Sequence, residues 1–425
     1  MMNPLSFEAV KKASFSKSFC RPLYDSYCFS RIPGTIKSLL GLESKTKLPS
    51  DVFGNALEEF DIVILFFVDG FGWESFEHYL PTIPFLKRFD LEGCASKLTS
   101  QFPSTTAAHV TCINTGLDVG QSGVYEWYYY EPVVDQVIAP ILFSFAGDKN
   151  VETLQKAGVA ASTIYPSSTI YQDLKKNDVD SFIMQHAAIA HSSYSQAMFK
   201  DAAQYPYRTL EEALLKISDL TSQTTLKKAY FYLYFDGIDA MGHRHGVFSK
   251  QFDAAAKQCF KALEDVFMNQ AKNIRKKAAC IVTADHGMVA VDPRTAFYLN
   301  KEFSGIEKVI KKNRKGQLIA PAGSCRDLFL HIQEEHLEET EKSLEKMTRG
   351  FAEVYRTDAL IEQGFFGTHP PSREFLSRVG NLVILPYEAE AVWWYEKGRF
   401  EQHFFAAHGG LTRKEMEIPF LFLPL

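Results

Sequence analysis

Seven consecutive apolar residues, Ile62 to Val68, end abruptly on Asp69-Gly70. A run of that length without alternation is covered on both faces, as the central strand of a parallel sheet is. The same form recurs at 229–235 (AYFYLYF) and 278–284 (AACIVTA), each soon followed by an acidic residue. Between them Phe252, Ala256, Phe260, Leu263 and Phe267 recur at intervals of three and four, which marks one face of a helix. Strand, helix, strand implies a crossover, so the expected fold class is α/β, with a doubly wound, mostly parallel central sheet. Ligand sites in such sheets lie outside the carboxyl ends of the strands. Asp69, Asp239 and Asp285 sit at or just past such ends.

The chain has 425 residues, room for one large α/β unit or two modest ones. Residues 1–55, rich in Ser, Lys and Phe, read as an irregular segment on the surface. Residues 56–300 and 376–425 read as the core, with strands resuming at 381–385, 391–395 and 418–423. Between them 301–375 break the rhythm with a basic stretch, a Pro-Ala-Gly turn and a charged helix, and are expected to form a smaller inserted cap. Lys and Arg number 46 against 51 Asp and Glu, a formal charge of −5, which argues against stable nucleic-acid binding. No apolar run approaches the roughly 20 residues of a membrane helix, so no span is expected. The N-terminal cations Lys11, Lys12, Lys17 and Arg21 precede no uninterrupted apolar stretch, and the expectation is a cytoplasmic chain. Seven cysteines without CxxC spacing suit reduced, buried thiols.

Four segments, and a fifth candidate near the end, can carry chemistry. Asp69-Gly70 places an acid at a strand end beside a residue that permits close backbone approach, although Asp-Gly is also an ordinary turn. Phe102-Pro-Ser-Thr-Thr-Ala-Ala-His109 opens a helix that Gly116 closes; its hydroxyls are helix caps, or lie where a phosphate meets unpaired backbone N–H groups. Asp239 and His243 share one face of a helical turn and can converge on an ion or form a surface pair. Asp285-His286-Gly287 follows an apolar strand, and the two side chains can both ligate or simply bond one another. His408-Gly409-Gly410 adds an imidazole. Together they supply three carboxylates, three imidazoles and one hydroxyl, a donor set that suits two borderline ions such as Zn²⁺ and in-line displacement at phosphorus.

The order of these motifs resembles the alkaline phosphatase superfamily, in particular its type I phosphodiesterase and nucleotide pyrophosphatase branch. The resemblance runs from about Asp61 to the C-terminus through Asp-Gly, FPSTT…TG, D-x-x-x-H, DHGM and HGG, with Tyr130-Glu131-Pro132 and Tyr165-Pro166-Ser167 as further matches. It implies an alkaline phosphatase-like core and two divalent ions, zinc first. Asp69, Asp285 and His286 would hold one ion together with the nucleophile, and Asp239, His243 and His408 the other. Counting back from Thr115-Gly116 puts the nucleophilic threonine at Thr106, with Ser104 and Thr105 close by. Where the family carries an Asn that donates to a phosphoryl oxygen, this chain has His109, which enters the catalytic set in its place.

The implied reaction is hydrolysis of a phosphodiester or pyrophosphate bond through a phospho-threonine. The implied substrate is a small phosphodiester or nucleotide. No Lys or Arg occurs between Gln101 and Gly116, which favours esters with about one negative charge over monoesters with about two. Tyr128, in the run Tyr125 to Tyr130, and Tyr165 are candidates to flank a flat group, and His369 a candidate to reach the site from the cap. A phosphomonoesterase, phosphonate hydrolase or phosphomutase shares the metal frame, and a silent metal-binding protein is the alternative outside catalysis. A sulfatase fits poorly, because no C/S-x-P-x-R segment lies beside the first Asp-Gly.

Overall fold

The computed structural model describes residues 1–54, 56, 59–223 and 226–425; the boundary expected at 55/56 thus touches Asn55, outside the described residues. Its centre is a seven-stranded sheet in the spatial order Cys94–Thr99, Glu417–Pro424, Ala278–Thr283, Ile62–Val68, Lys228–Phe235, Val179–Met184, Ala203–Gln204. Only Glu417–Pro424 runs antiparallel to its neighbours. All seven residues of Ile62–Val68 are buried. Val63, Leu65 and Phe67 face one apolar cluster while Ile62, Ile64, Phe66 and Val68 face the other, so helices and loops cover both faces, as the unbroken apolar run requires.

Register then sets the site. Val68 lies opposite Phe235, and Phe67 lies opposite both Tyr234 and Thr283, so three strands end side by side. Neighbouring strands are about 4.8 Å apart, which brings whatever follows each of them within reach of one ion.

Three expectations need correction. Residues 1–55 are not merely an irregular wrap, because helices Pro4–Lys12 and Ile32–Leu39 form and Val10, Phe29, Ile32 and Ile36 are fully buried. Main-chain bridges join Met2 to Ala95 and Cys28 to Thr99. The strand expected at 381–385 does not resume the central sheet. It forms as Leu382–Pro386 in a separate antiparallel sheet with Asp327–Leu330, Ala322–Ser324 and Ala352–Arg356. Residues 391–395 contribute only Val392–Trp393, paired with Phe297–Tyr298. A short buried run reports that it is covered on both faces, and not which sheet does the covering. That sheet thus joins strands from both sides of the boundary expected at 375.

All seven cysteines are buried free thiols. Among the described residues no helix is long and apolar enough to cross a membrane.

Candidate active site

Asp69 leaves the end of Ile62–Val68, Asp285 follows Ala278–Thr283, and Asp239 lies on the helix Gly237–His245 that follows Lys228–Phe235. Gly70 adopts φ 70°, and a Cβ there would come within 2.9 Å of the Asp239 Cβ, so the Asp-Gly pair sits where only glycine lets two elements close on each other.

The six expected ligands gather into two trios, Asp69/Asp285/His286 and Asp239/His243/His408, with the donor atoms of each trio within 4.8 Å of one another. In the first, His286 Nε2 lies 3.5 Å from Asp69 Oδ1 and 3.2 Å from Asp285 Oδ2. In the second, His243 Nε2 lies 3.3 Å from Asp239 Oδ2 and 3.2 Å from His408 Nε2. The His286 and His408 rings stack at 3.5 Å and join the trios.

Each histidine is anchored in the same sense. Nδ1 of His286, His243 and His408 donates to the carbonyls of Gly287, Ala406 and Ser104, at 3.1, 2.8 and 3.0 Å. That fixes the tautomer and turns every Nε2 lone pair toward the cluster, the way imidazoles are presented to metals. Buried Asp285 Oδ2 and Asp239 Oδ1 have no hydrogen-bond partner. An orphaned buried carboxylate oxygen is costly, and a cation at each trio removes that cost. The residues therefore fit two divalent ions.

The electrostatics agree. Burial, then the charges of Asp285 and Asp239, push the Asp69 carboxyl well above the usual range. Burial also opposes the Asp285 carboxylate, yet the positive charge of a protonated His286 beside it would hold it well below that range, the part that a bound cation would take. His408 is driven well below the ordinary imidazole value by burial and by its neighbours His286 and His243. Asp69 accepts a hydrogen bond from Tyr234 Oη, a contact not foreseen from the sequence although residues 230, 232 and 234 share one strand face.

Thr106 opens the helix Thr106–Thr115, which Gly116 closes at φ 74° as expected. Its Oγ1 lies 3.2 Å from His286 Nε2 and 3.4–3.5 Å from the Asp69 oxygens. Ser104 Oγ instead donates to the Gly410 carbonyl, and Thr105 is buried at the N-cap position. No side chain caps the helix, so its first N–H groups are left without a side-chain partner.

His109 is not in the cleft. It is fully buried, with Nδ1 donating to the Thr105 carbonyl at 2.7 Å and Nε2 accepting from the Gln101 N–H at 2.9 Å. Ser100 Oγ touches the same Nε2 at 2.8 Å and donates to the Asp285 carbonyl at 2.6 Å. Three residues along a helix is almost one turn, and this turn points the ring inward, where Phe29 packs on it at 4.7 Å. The ring ties the start of the Thr106 helix to the strand end that carries Asp285.

Burial takes the His109 pKa down to about 4. The unfolded chain, with an ordinary value near 6.5, then binds this proton first. Stability from the group is full above about pH 6.5 and is lost as pH falls toward 4, about 2 kcal/mol by pH 5. Urea unfolding at pH 7 and pH 5 checks this; His109→Gln should flatten the difference, and an equally steep loss in the variant refutes the assignment.

Two other expectations fail. Tyr165 is buried, its Oη donates to the Pro140 carbonyl at 2.6 Å, and it packs against Tyr194, so it belongs to the core. His369 lies 3.3 Å from Asp118, beyond the far end of the Thr106 helix, one helix length from Thr106. Tyr128 does line the cleft, together with Trp127.

The loop that carries His408 is held from below. Arg326 and Glu415, both fully buried, form a double hydrogen bond at 2.9 and 3.0 Å, and Glu415 Oε1 accepts from the Gly410 N–H. Glu415→Ala would leave a buried guanidinium unpaired and should cost about 3–5 kcal/mol. Denaturant titration measures it, and a loss under about 1 kcal/mol would contradict the role.

The family model described as type I phosphodiesterase / nucleotide pyrophosphatase matches residues 63–411. No curated protein sequence matches the chain. Among solved structures, the murine ectonucleotide pyrophosphatase / phosphodiesterase 5 aligns at TM-score 0.63 and 16% identity, over 85% of this chain and 88% of its own. The human protein of that name aligns at TM-score 0.63 and 16% identity over 85% and 87%. An inactive threonine-to-alanine form of the murine protein, in complex with AMP, aligns at TM-score 0.63 and 17% identity over 86% and 88%. At such identities the structures speak for the fold, while the family match spans most of the chain and takes in both ligand trios and Thr106. The chain belongs to the type I phosphodiesterase / nucleotide pyrophosphatase family of hydrolases.

Proposed function

We propose that the protein hydrolyses phosphodiester or pyrophosphate bonds through a phospho-threonine at Thr106. The observation that carries the reading is the hydroxyl at a helix N-terminus, 3.2 Å from His286, beside one buried and one half-buried Asp/His trio. Divalent ions held by Asp69/Asp285/His286 and Asp239/His243/His408, zinc by the nature of the donors, would supply Lewis-acid stabilisation of phosphoryl charge.

The chain's own residues do the rest. Thr106 Oγ1, placed beside the Asp69/His286 trio whose ion would ease loss of its proton to water, attacks phosphorus as the P–O bond to the leaving oxygen on the opposite side breaks. The uncapped N–H groups after Thr105 receive a phosphoryl oxygen, the role the sequence had suggested for His109. Water entering from the vacated side then releases Thr106.

The cleft carries few cations. Among the described residues Arg399 is the one Lys or Arg that lines its two lobes, which suits an ester with about one negative charge better than a monoester with about two. The AMP bound to the murine structure is consistent with a nucleotide as substrate. Turnover of bis-p-nitrophenyl phosphate against p-nitrophenyl phosphate tests the preference; faster turnover of the monoester overturns it.

A further inference from the structure

The cleft divides at Thr106 and Asp239 into two lobes. One, of about 310 Å³, is lined by Asp69, Asn114, Gln185 and Tyr234 and lacks His243 and His408. The other, of about 430 Å³, includes His243 and His408. In-line displacement puts the entering and leaving oxygens on opposite sides of phosphorus. The entering oxygen stands beside the Asp69 trio. The leaving oxygen must therefore face the His243/His408 trio and the second lobe.

That lobe is aromatic. Tyr128 stacks on Trp393 with centroids 6.2 Å apart and meets Phe400 edge-on at 5.7 Å. Phe404, with 46% of its surface exposed, lies 4.5 Å from the His243 ring and so lines the path beside the ligand trio. The ionisable groups of the lobe, apart from the ligands and the tyrosine, are Glu126, Glu401, Cys325 and Arg399. The Arg399 guanidinium is already committed to Glu396 at 2.7 Å and to the Ala146 carbonyl at 2.9 Å. A departing phosphate chain would bring two or more negative charges to two acids and no uncommitted cation, whereas rings and exposed apolar surface receive an apolar group.

From this juxtaposition we infer that the Tyr128/Trp393/Phe404 lobe is the leaving-group subsite and takes an apolar, ring-bearing alcohol, so that the substrate is a phosphodiester rather than a pyrophosphate. The inference rests on the reading of Thr106 as nucleophile.

Ethyl 2-phenylethyl phosphate tests it, because its two alcohols have similar intrinsic leaving ability and either can depart. The P–O bond to one alcohol breaks as the bond to Thr106 forms, and the alkoxide leaves as 2-phenylethanol with ethyl phosphate, or as ethanol with 2-phenylethyl phosphate. The wild-type metal-loaded protein should release 2-phenylethanol over ethanol by at least about tenfold. Trp393→Ala and Phe404→Ala, with melting curves to check folding, should bring the partition toward one. Calorimetric binding to Thr106→Ala should favour this ester over diethyl phosphate by a similar factor, and lose the preference when Trp393→Ala is added. Predominant release of ethanol, or a partition that neither substitution moves, overturns the subsite while leaving the hydrolase reading intact. Turnover of no ester at all overturns the hydrolase reading, and the binding comparison then decides the lobe by itself.

Discussion

Thr106→Ala is expected to lower kcat/KM for any phosphodiester by about 10⁴-fold or more, with little change in melting temperature. The size follows from what the hydroxyl does. Thr106 Oγ1 stands at the mouth of the Asp69/His286 trio, whereas Ser104 is engaged with Gly410 and Thr105 is buried. No neighbouring hydroxyl can take over the attack without unwinding the start of the helix. A nucleophile acts as a unit with the groups that activate it, so its loss removes most of what they contribute. The small stability effect follows as well, since Thr106 makes only long contacts, of 3.2–3.5 Å, to the cluster. Steady-state kinetics and a quenched-reaction search for phosphate on threonine provide the check. Activity retained within about tenfold would sink the covalent mechanism.

Removal of metal should be as severe. Chelation is expected to bring turnover below about one per cent, and added Zn²⁺ to restore it. Metal analysis should find about two ions per chain, and Asp239→Ala combined with His243→Ala should leave about one. Chelation should also lower the melting temperature, because ions that bind only the folded chain stabilise it by mass action. The reason lies in the orphaned oxygens of Asp285 and Asp239 and in the 3.2 Å approach of two Nε2 atoms, His243 and His408, each with its proton placed on Nδ1. Without a cation these groups face one another at a cost; with one, every lone pair has a partner. A protein that binds no ion, or turns over equally well after exhaustive chelation, would contradict this account.

His109 shows how the sequence can identify a residue and misplace its role. Its spacing from Thr106 is compatible with a phosphoryl contact, but a helix turns its side chain by a full register every few residues, and the register is set by which face packs. Here the packing partner is Phe29, from a segment about 80 residues upstream that was expected to lie loosely on the surface. Tyr165 and His369 failed for the same reason. Each sits in a short motif whose local form gives no direction, and each is claimed by a remote partner, Pro140 or Asp118. The aromatic lobe was legible only in part. Tyr128 stood out as a member of a run of rings, whereas Trp393, at the end of the strand Val392–Trp393, and Phe400 and Phe404 after it lie far along the chain, where no local pattern connects them to it.

What the residues determined alone was everything that depends on near neighbours along the chain. Unbroken apolar runs gave buried strands; three- and four-residue spacings gave helices; Gly116 gave a helix end; Asp, His and Thr at strand exits gave the donor types for ions and the oxygen for attack. What the tertiary structure decided was adjacency. The Asp69, Asp239 and Asp285 carboxylates are separated by 170 and 46 residues in sequence and meet because Val68, Phe235 and Thr283 end in register. Strand order and register are settled by burial summed over the entire sheet, a quantity no window of sequence contains, and so the chemistry could be read residue by residue while its geometry could not.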